Sequence, residues 1–504
     1  MEIRSSRFSL AAKVLILRQM LWGASFYGVY VLLTRFFLEE LNYSEADTIM
    51  MLGAFGAVGP VFSAVGGFAA DRFIGSFRAV YIGYTVYAFG YLLLGIGANS
   101  LNIPLSVMAI ALIGYARGLS STSPTVLLGQ SFGDDQRETF QQALTLNYSI
   151  NNLGSFSARY LFPMLIVFWG YSGNFYVSCV LMILNLILFW VFRKALIGTG
   201  NDLDKSPVSL KNWLIFGVTS LAMLGVVFWI FSNLALGKYL MYALAAGAIG
   251  YFVYEIFRAT PAFRWKMGAV LVSLFILIVF YFYYGQMNTS MNIYAINLMD
   301  STVFGVIPFK PESNSAFNPM WCFLLGGPMM FVYGWLDKRG FKSSIPTKFA
   351  AAFICSAIAF TLLGMSTGNI GDNGKIAAEW FVSVHFFQAI AELIVGALGV
   401  GFIFEMVPRY LSSFAIGMKA VSLSLSGILA AVISTKIALP KGIVLTPEVV
   451  ETVYAGFFYN LAIMAVVMAV VTLGLSKVIG AMVAKGEALE AAPAVVTNAT
   501  FAAV

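Results

Sequence analysis

The sequence predicts an all-α membrane protein whose chain crosses the bilayer fourteen times. Three observations support this fold class. Sixty per cent of the 504 residues are apolar and only 11% are charged, whereas soluble domains carry about 25% charged residues. Fourteen apolar stretches each reach the roughly 20 residues that a membrane-spanning helix needs. Lysine and arginine are concentrated in alternate loops, which is typical of short loops that remain on the cytoplasmic side.

The fourteen predicted helices are arranged as six, two and six. We expect an N-terminal six-helix bundle over 1–195, a two-helix insert over 196–266, a C-terminal six-helix bundle over 267–480 and a disordered tail over 481–504. The tail is rich in Ala and Val and has no periodic apolar face. The predicted spans are 13–37, 46–70, 78–98, 103–131, 139–168, 174–194, 212–232, 236–257, 267–298, 318–336, 346–367, 379–407, 411–436 and 452–478.

The loop charges predict the orientation. Only four lysines, Lys238, Lys310, Lys375 and Lys441, fall in the loops on the opposite side from the N-terminus, so both termini are predicted to be cytoplasmic. The net charge of +7 follows from this asymmetry and indicates no nucleic-acid partner. Arg18, one turn inside the first helix, is expected to extend to the cytoplasmic surface.

Four ionisable side chains lie near the middle of predicted spans. A charge at that depth is costly and normally faces a partner or a watery cavity, so it marks a pathway across the membrane. Arg117 lies four residues before Ser121 on the same helical face, and Arg159 lies seven residues after Asn152. The four mid-span residues are Arg117, Arg159, Glu392 and Lys419.

The two halves share a loop pattern of acidic, basic, glycine and basic residues. It reads G-G-F-A-A-D-R-F-I-G-S-F-R at 66–78 and G-W-L-D-K-R-G-F-K at 334–342. This repeated order is typical of the cytoplasmic hinge of a major facilitator, where Asp71 is expected at the next helix N-terminus or beside a basic residue. The predicted hinge residues are Asp71, Arg72, Arg78, Asp337 and Lys338.

From about residue 13 to 478 the chain resembles the proton-dependent oligopeptide transporter family, a branch of the major facilitators whose bacterial members often carry two extra central helices. The segments N-Y-S-I-N-N-L-G-S-F at 147–156, G-Q-M-N-T-S-M-N at 285–292, F-N-P-M at 317–320 and A-E-L-I at 391–394 carry the resemblance, together with the first hinge loop. The resemblance implies a major facilitator fold in a bacterial inner membrane, with a substrate site near the midplane between two rocking halves.

The resemblance also implies the substrate-binding residues. Glu392 and Asn318 match the pair that holds a peptide amino terminus, and three cations are left to compete for its carboxylate. This charge balance predicts a preference for acidic peptides or peptide-like anions. The predicted substrate-binding residues are Tyr27, Arg117, Ser121, Tyr148, Asn152, Arg159, Gln286, Asn318, Glu392 and Lys419.

The chain departs from the family pattern on helix one. Where the family has E-x-x-E-R-F-x-Y-Y-G, residues 19–28 read Q-M-L-W-G-A-S-F-Y-G, and the seventh-helix glutamate falls at Gly285. Proton coupling is therefore left to Glu392, with His385 seven residues before it as a candidate relay. A proton symporter, an antiporter and a facilitator remain alternatives.

Other function classes have less support. The sequence has one histidine, no metal-ligand cluster and no phosphate-binding loop, so no enzyme activity and no cofactor or metal are predicted. Its three cysteines are expected to be small packing residues. We expect a monomer in the bilayer that binds a short peptide or small solute, and protons if it is coupled. An exporter of drugs or metabolites and a non-transporting solute sensor remain the alternatives.

Overall fold

The structure is a computed structural model that describes residues 8–133, 136–200, 202–340, 345–396, 406–408 and 411–491. The N-terminal half is a helical bundle in which Ser9, Ser44 and Asn102 cap the starts of three helices. Ser9, for example, accepts a hydrogen bond from the backbone N–H of Ala12. π-helical turns at Phe36–Glu40 and Ala70–Ile74 follow the first two helices. The helices are α1 (Leu10–Arg35), α2 (Glu45–Ala69), α3 (Ser76–Asn99), α4 (Ile103–Ser120), α5 (Ser123–Gln130) and α6 (Arg137–Val191).

Helix α6 contains two of the predicted spans. Its backbone leaves the helical conformation at Gly170, where φ is 63°, between the predicted spans 139–168 and 174–194. Thirteen helical segments of the described residues are long and apolar enough to cross a membrane, and one of them, Glu138–Val191, has 54 residues. That length, about 80 Å at 1.5 Å per residue, is enough for two crossings.

The insert packs against both halves. Side chains of its first long helix, among them Val227 and Phe231, join the hydrophobic core of the N-terminal half. Phe252, near the end of its second long helix, joins the core of the C-terminal half. The helices of this region are α7 (Arg193–Thr199), α8 (Asp202–Lys205), α9 (Leu210–Ser232) and α10 (Leu234–Arg258).

The C-terminal half forms its own hydrophobic core. A short antiparallel hairpin, Thr302–Val303 with Ile307–Pro308, precedes the 3₁₀ segment Pro311–Ala316, which we call the strap. The helices are α11 (Pro261–Gly285), α12 (Ser290–Leu298), α13 (Phe317–Lys338), α14 (Ile345–Ser366), α15 (Ala378–Gly396), α16 (Ser412–Ser434), α17 (Pro447–Val450) and α18 (Gly456–Ala491).

The ends of the bundle differ from two sequence expectations. Helix α18 continues to Ala491, although a disordered tail was expected from 481, and Lys266 forms an ion pair with Glu490 of this extension. Arg18 does not reach the surface: it is 5% exposed and donates a 2.6 Å hydrogen bond to the hydroxyl of Tyr84. The buried phenol of Tyr84 therefore accepts a hydrogen bond from the Arg18 guanidinium, which was expected to reach water.

Candidate functional site

A cavity of about 420 Å³ lies between the two halves. We call the end of the molecule that contains residues 70–75 the hinge end and the opposite end, which contains residues 36–44, the outer end. Both halves contribute polar and aromatic side chains to the cavity wall. The wall includes Phe26, Tyr27, Tyr30, Arg117, Tyr148, Arg159, Tyr281, Tyr284, Asn288, Glu392 and Lys419.

Arg159 is the most buried cation of this cavity, with 4% of its surface exposed. Its guanidinium carbon lies 4.7 Å from the ring centroid of Tyr27. One terminal nitrogen donates a long hydrogen bond, 3.4 Å, to the backbone oxygen of Ser315 in the strap. The Nε atom has no hydrogen bond to any described residue. A buried guanidinium that has N–H groups without a hydrogen bond can bind an anion.

Arg117 reaches the cavity from helix α4. Its carbon chain passes over Gly59 of α2, where a Cβ atom would lie 2.3 Å from Arg117 Cδ. The guanidinium carbon is 4.7 Å from the Phe26 ring centroid, and Nη1 donates to the backbone oxygen of Gly56 at 3.2 Å. Ring stacking and one carbonyl hold the charge, and no carboxylate of the described chain pairs with it.

Lys419 adds a third cation from the C-terminal half. It lies on α16 and lines the same cavity. No hydrogen bond or ion pair joins its amine to another residue of the described ranges. All three predicted cations therefore line one cavity.

Glu392 is the carboxylate of the cavity. Its Oε1 accepts a 2.9 Å hydrogen bond from the hydroxyl of Tyr148, which lies on the other half of the molecule. Its Oε2 is 3.5 Å from the thiol of Cys322, and Cys322 Sγ is 4.0 Å from Asn318 Oδ1. Cys322 was expected only to pack, and instead it donates to the acid. These contacts fix the orientation of the carboxylate without neutralising its charge.

Five predicted site residues do not line the cavity, and one of them is Asn318, which is 3% exposed. Ser121 is exposed at the C-terminal end of α4. Asn152 is buried one helical turn from Tyr148. Gln286 is fully buried and accepts hydrogen bonds from Ser290 at 2.5 Å and Ser434 at 2.8 Å, which ties α12 to α16.

His385 is the fifth of these residues. It is fully buried on α15, and its Nε2 lies 3.3 Å from Asn314 Oδ1 in the strap. Its Nδ1 has no hydrogen bond to a described residue. The histidine therefore contacts the strap and lies two turns from Glu392 on the same helix.

The sequence model of the POT family (PTR2) matches residues 77–450, well over half of the chain. The chain belongs to the POT family. This membership confirms the family predicted from the motifs and makes the protein a polytopic membrane protein of a transport family.

Curated relatives in the POT family match along most of their length. Dipeptide and tripeptide permease B of Xenorhabdus bovienii is 28% identical over 447 residues, which is 88% of this chain and 90% of the relative. Dipeptide and tripeptide permease A of Salmonella typhimurium is 27% identical over 448 residues, 89% of this chain and 88% of the relative.

Solved structures confirm the major facilitator fold. A bacterial homologue of the human drug peptide transporters PepT1 and PepT2 superposes with a TM-score of 0.82 at 23% identity, covering 94% of this chain and 99% of the other. Tetrameric PepTSo2 also superposes with a TM-score of 0.82, at 22% identity, covering 94% and 98%.

The POT chain is closed at its outer end by contacts that sequence reasoning missed. The strap carries Glu312, whose Oε2 lies 2.8 Å from Arg35 Nε at the end of α1. The two atoms are at ion-pair distance but lack hydrogen-bond alignment. Asn292 donates to Thr34 at 2.7 Å beside this pair. No motif marks Arg35 or Glu312, because each is simply a charge near a helix end in the sequence.

One of the predicted hinge residues, Arg78, contacts the insert. Arg78 donates to the backbone oxygens of Leu203 and Ser206 at 2.6 and 2.7 Å. Asp71 is exposed and does not cap α3, since Asp204 of the insert accepts the bond from Phe77 N at 2.9 Å. Arg72 and Lys338 are exposed, and the side chain of Asp337 lies outside the described residues.

Proposed function

We propose that the protein is a secondary active transporter that moves short peptides and peptide-like anionic solutes across a bacterial inner membrane by alternating access. The proposal rests on the cavity, which contains Glu392 and three cations that form no ion pair with a described residue. A zwitterionic peptide supplies an ammonium for the acid and a carboxylate for a cation. The names of the relatives also specify dipeptides and tripeptides.

Alternating access is supported by the contacts between the halves. Among the described residues, the hydrogen bonds and ion pairs that join the halves lie at the cavity or on its outer side, including Arg35–Glu312 and Asn292–Thr34. The cavity is therefore closed towards the outer end, while Tyr148 remains 38% exposed. This arrangement fits one of the two states of a rocking transporter, with the substrate site between the halves.

The direct test measures peptide binding by the purified protein and uptake into liposomes. We expect di- and tripeptides to raise the unfolding temperature, because a ligand of the folded state stabilises it by mass action. Glu392→Gln weakens binding of free dipeptides by about tenfold, the loss expected for one charged hydrogen bond. The same substitution leaves N-acetylated peptides, which have no ammonium, unaffected.

Glu448→Gln is the matched control, since this exposed acid lies at the start of α17 and does not line the cavity. If the unaltered protein neither binds nor carries any peptide, the proposal is wrong. Counterflow in the outward direction alone would favour the exporter, and binding without flux would favour the sensor.

Proton coupling is part of the same proposal and is assigned to Glu392, with His385 as the relay from the outer wall. Glu392 is the one carboxylate among the described cavity residues. Peptide uptake with and without an imposed pH gradient measures the coupling. We expect a gradient to drive accumulation by the unaltered protein and Glu392→Gln to retain exchange alone. Equal uptake without a gradient would indicate a facilitator.

We further propose cytoplasmic N- and C-termini and a functional monomer. The loop-charge asymmetry supports the orientation. Both walls of the cavity come from one chain, which supports the monomer. Labelling of terminal tags in sealed cells and the mass of the purified protein test the two statements.

A further inference from the structure

Two guanidinium groups of the cavity wall pack on neighbouring rings of α1. Arg117 stacks on Phe26 and Arg159 stacks on Tyr27, each with 4.7 Å between the guanidinium carbon and the ring centroid. The two rings belong to consecutive residues of α1, and their centroids are 5.2 Å apart. Because Arg117 and Arg159 also line the same cavity, one small ligand there can contact both charges.

Both groups keep donors free for a ligand. Arg159 uses one terminal nitrogen on Ser315, and its Nε has no hydrogen bond to a described residue. Arg117 uses Nη1 on the backbone oxygen of Gly56. The Nε of Arg159 is itself buried, but the two terminal nitrogens of a guanidinium each have two N–H groups and can bind a carboxylate through two parallel hydrogen bonds. A guanidinium on an aromatic face is weakly hydrated, so little water must be displaced.

No ion pair among the described residues supplies the matching negative charge. Glu392, the acid of this cavity, is hydrogen-bonded by Tyr148 and lies beside the Cys322 thiol. Neither arginine has an ion pair with any carboxylate of the described ranges. Unpaired charges within the membrane are costly, so two of them on one wall favour a ligand that brings two anionic groups.

We propose, on the basis of the proposed peptide transport, that this wall recognises peptides whose C-terminal residue is aspartate or glutamate. Such a residue carries its terminal and side-chain carboxylates a few bonds apart. One carboxylate binds Arg159 and the other binds Arg117, while the peptide ammonium binds Glu392. Asparagine or glutamine at the same position fills the same space and lacks the second charge.

The test compares isosteric dipeptides by calorimetric binding to the purified protein. Ala-Glu is expected to bind about tenfold more tightly than Ala-Gln, since one charged bidentate contact separates the two ligands. The ratio is smaller for Glu-Ala against Gln-Ala, because the extra charge is then far from the C-terminal carboxylate. Arg117→Gln and Arg159→Gln each remove most of the Ala-Glu preference, and Arg159→Lys restores only part of it.

Lys419→Gln is the matched control, since it removes one positive charge from the same cavity at a different wall. If Lys419→Gln reduces the Ala-Glu preference as strongly as the arginine variants, overall cavity charge explains the effect and the inference is wrong. Equal binding of Ala-Glu and Ala-Gln by the unaltered protein also overturns it, while peptide transport stands. Absence of binding by all four dipeptides overturns the proposed function as well. Circular dichroism spectra of each variant establish that it is folded.

Discussion

At the scale of single residues, Arg117 reaches the cavity because Gly59 leaves room for its side chain. A Cβ at Gly59 would lie 2.3 Å from Arg117 Cδ and 2.6 Å from Cγ. The glycine therefore acts on the cavity through another residue and touches no ligand itself. Glycine has a weaker helix propensity than other residues, but a larger residue at this position of α2 would block the long Arg117 side chain.

Gly59→Ala is expected to move the Arg117 guanidinium away from Phe26 and to lower the affinity for acidic dipeptides about as much as Arg117→Gln. Gly225→Ala is the control, because nothing lies within 4 Å of a Cβ added there. Binding isotherms for Ala-Glu and Ala-Gln measure the effect. An unchanged ratio between the two peptides in Gly59→Ala would contradict this positioning role.

Tyr148 orients the cavity acid across the interface between the halves. Tyr148→Phe removes the 2.9 Å hydrogen bond to Glu392, so we expect peptide binding to weaken about fivefold, the usual effect of one hydrogen bond. Tyr81→Phe, an exposed position on α3, is the matched control. Binding titrations with Ala-Ala measure the loss. Equal affinities for the two variants would show that Tyr148 only packs.

At the scale of elements, the start of the insert is attached to the hinge end of the N-terminal half. Gly75 has a φ of 86°, and a Cβ there would lie 2.3 Å from Asp204 Oδ1. The carboxylate of Asp204 therefore fits against the glycine and accepts a bond from the first turn of α3. The short helix α8 belongs structurally to the N-terminal bundle, although it lies more than 120 residues further along the chain.

Asp204→Ala is expected to lower the free energy of unfolding by about 1 kcal/mol, the typical value of a helix N-cap contact. Asp202→Ala, an exposed position on the same short helix, is the control. Thermal unfolding followed by tryptophan fluorescence compares the two. A larger loss for Asp202→Ala would contradict the assignment of the cap.

The sequence predicted the elements better than it predicted their contacts. Apolar length identified the spans, and the position of Arg159 and Glu392 within them indicated a cavity, because burial of charge depends mainly on depth. The N-terminus of α3 was one of two places expected for Asp71, the other being beside a basic residue, whereas Asp204 from the insert occupies that N-terminus. Which of several polar residues reaches a helix end depends on tertiary packing, which one sequence does not contain.

At the scale of the whole molecule, the outer end is joined by the only ion pair between the halves among the described residues, Arg35 with Glu312. The Glu312 side chain is 4% exposed and that of Arg35 is 26% exposed. The strap that carries Glu312 also contacts the C-terminal half, because Asn314 donates to Asn292 at 2.8 Å. Release of this pair is therefore needed before the outer ends can separate.

Glu312→Gln is expected to shift the population towards the outer-open state. Spin labels at Leu101→Cys and Val444→Cys, exposed outer positions on opposite halves, report the separation, with the partly exposed Cys355 replaced by serine. We expect a longer mean distance in Glu312→Gln than in the unaltered protein. Glu448→Gln, an exposed acid without a described ion pair, is the control. Identical distance distributions for both variants would contradict the role of the pair.

Arg35 has a second carboxylate within reach, and this affects how fast the outer end can open. Its Nη1 lies 2.6 Å from Glu39, which also accepts a hydrogen bond from Tyr171 at 3.1 Å. When Glu312 leaves, the guanidinium therefore keeps Glu39 as its partner and is never left as an isolated charge. The activation barrier for opening the outer end therefore does not include the several kcal/mol that it costs to leave a poorly solvated ion without a partner. We therefore expect Glu39, which is not among the described cavity residues and does not join the two halves, to affect the turnover rate.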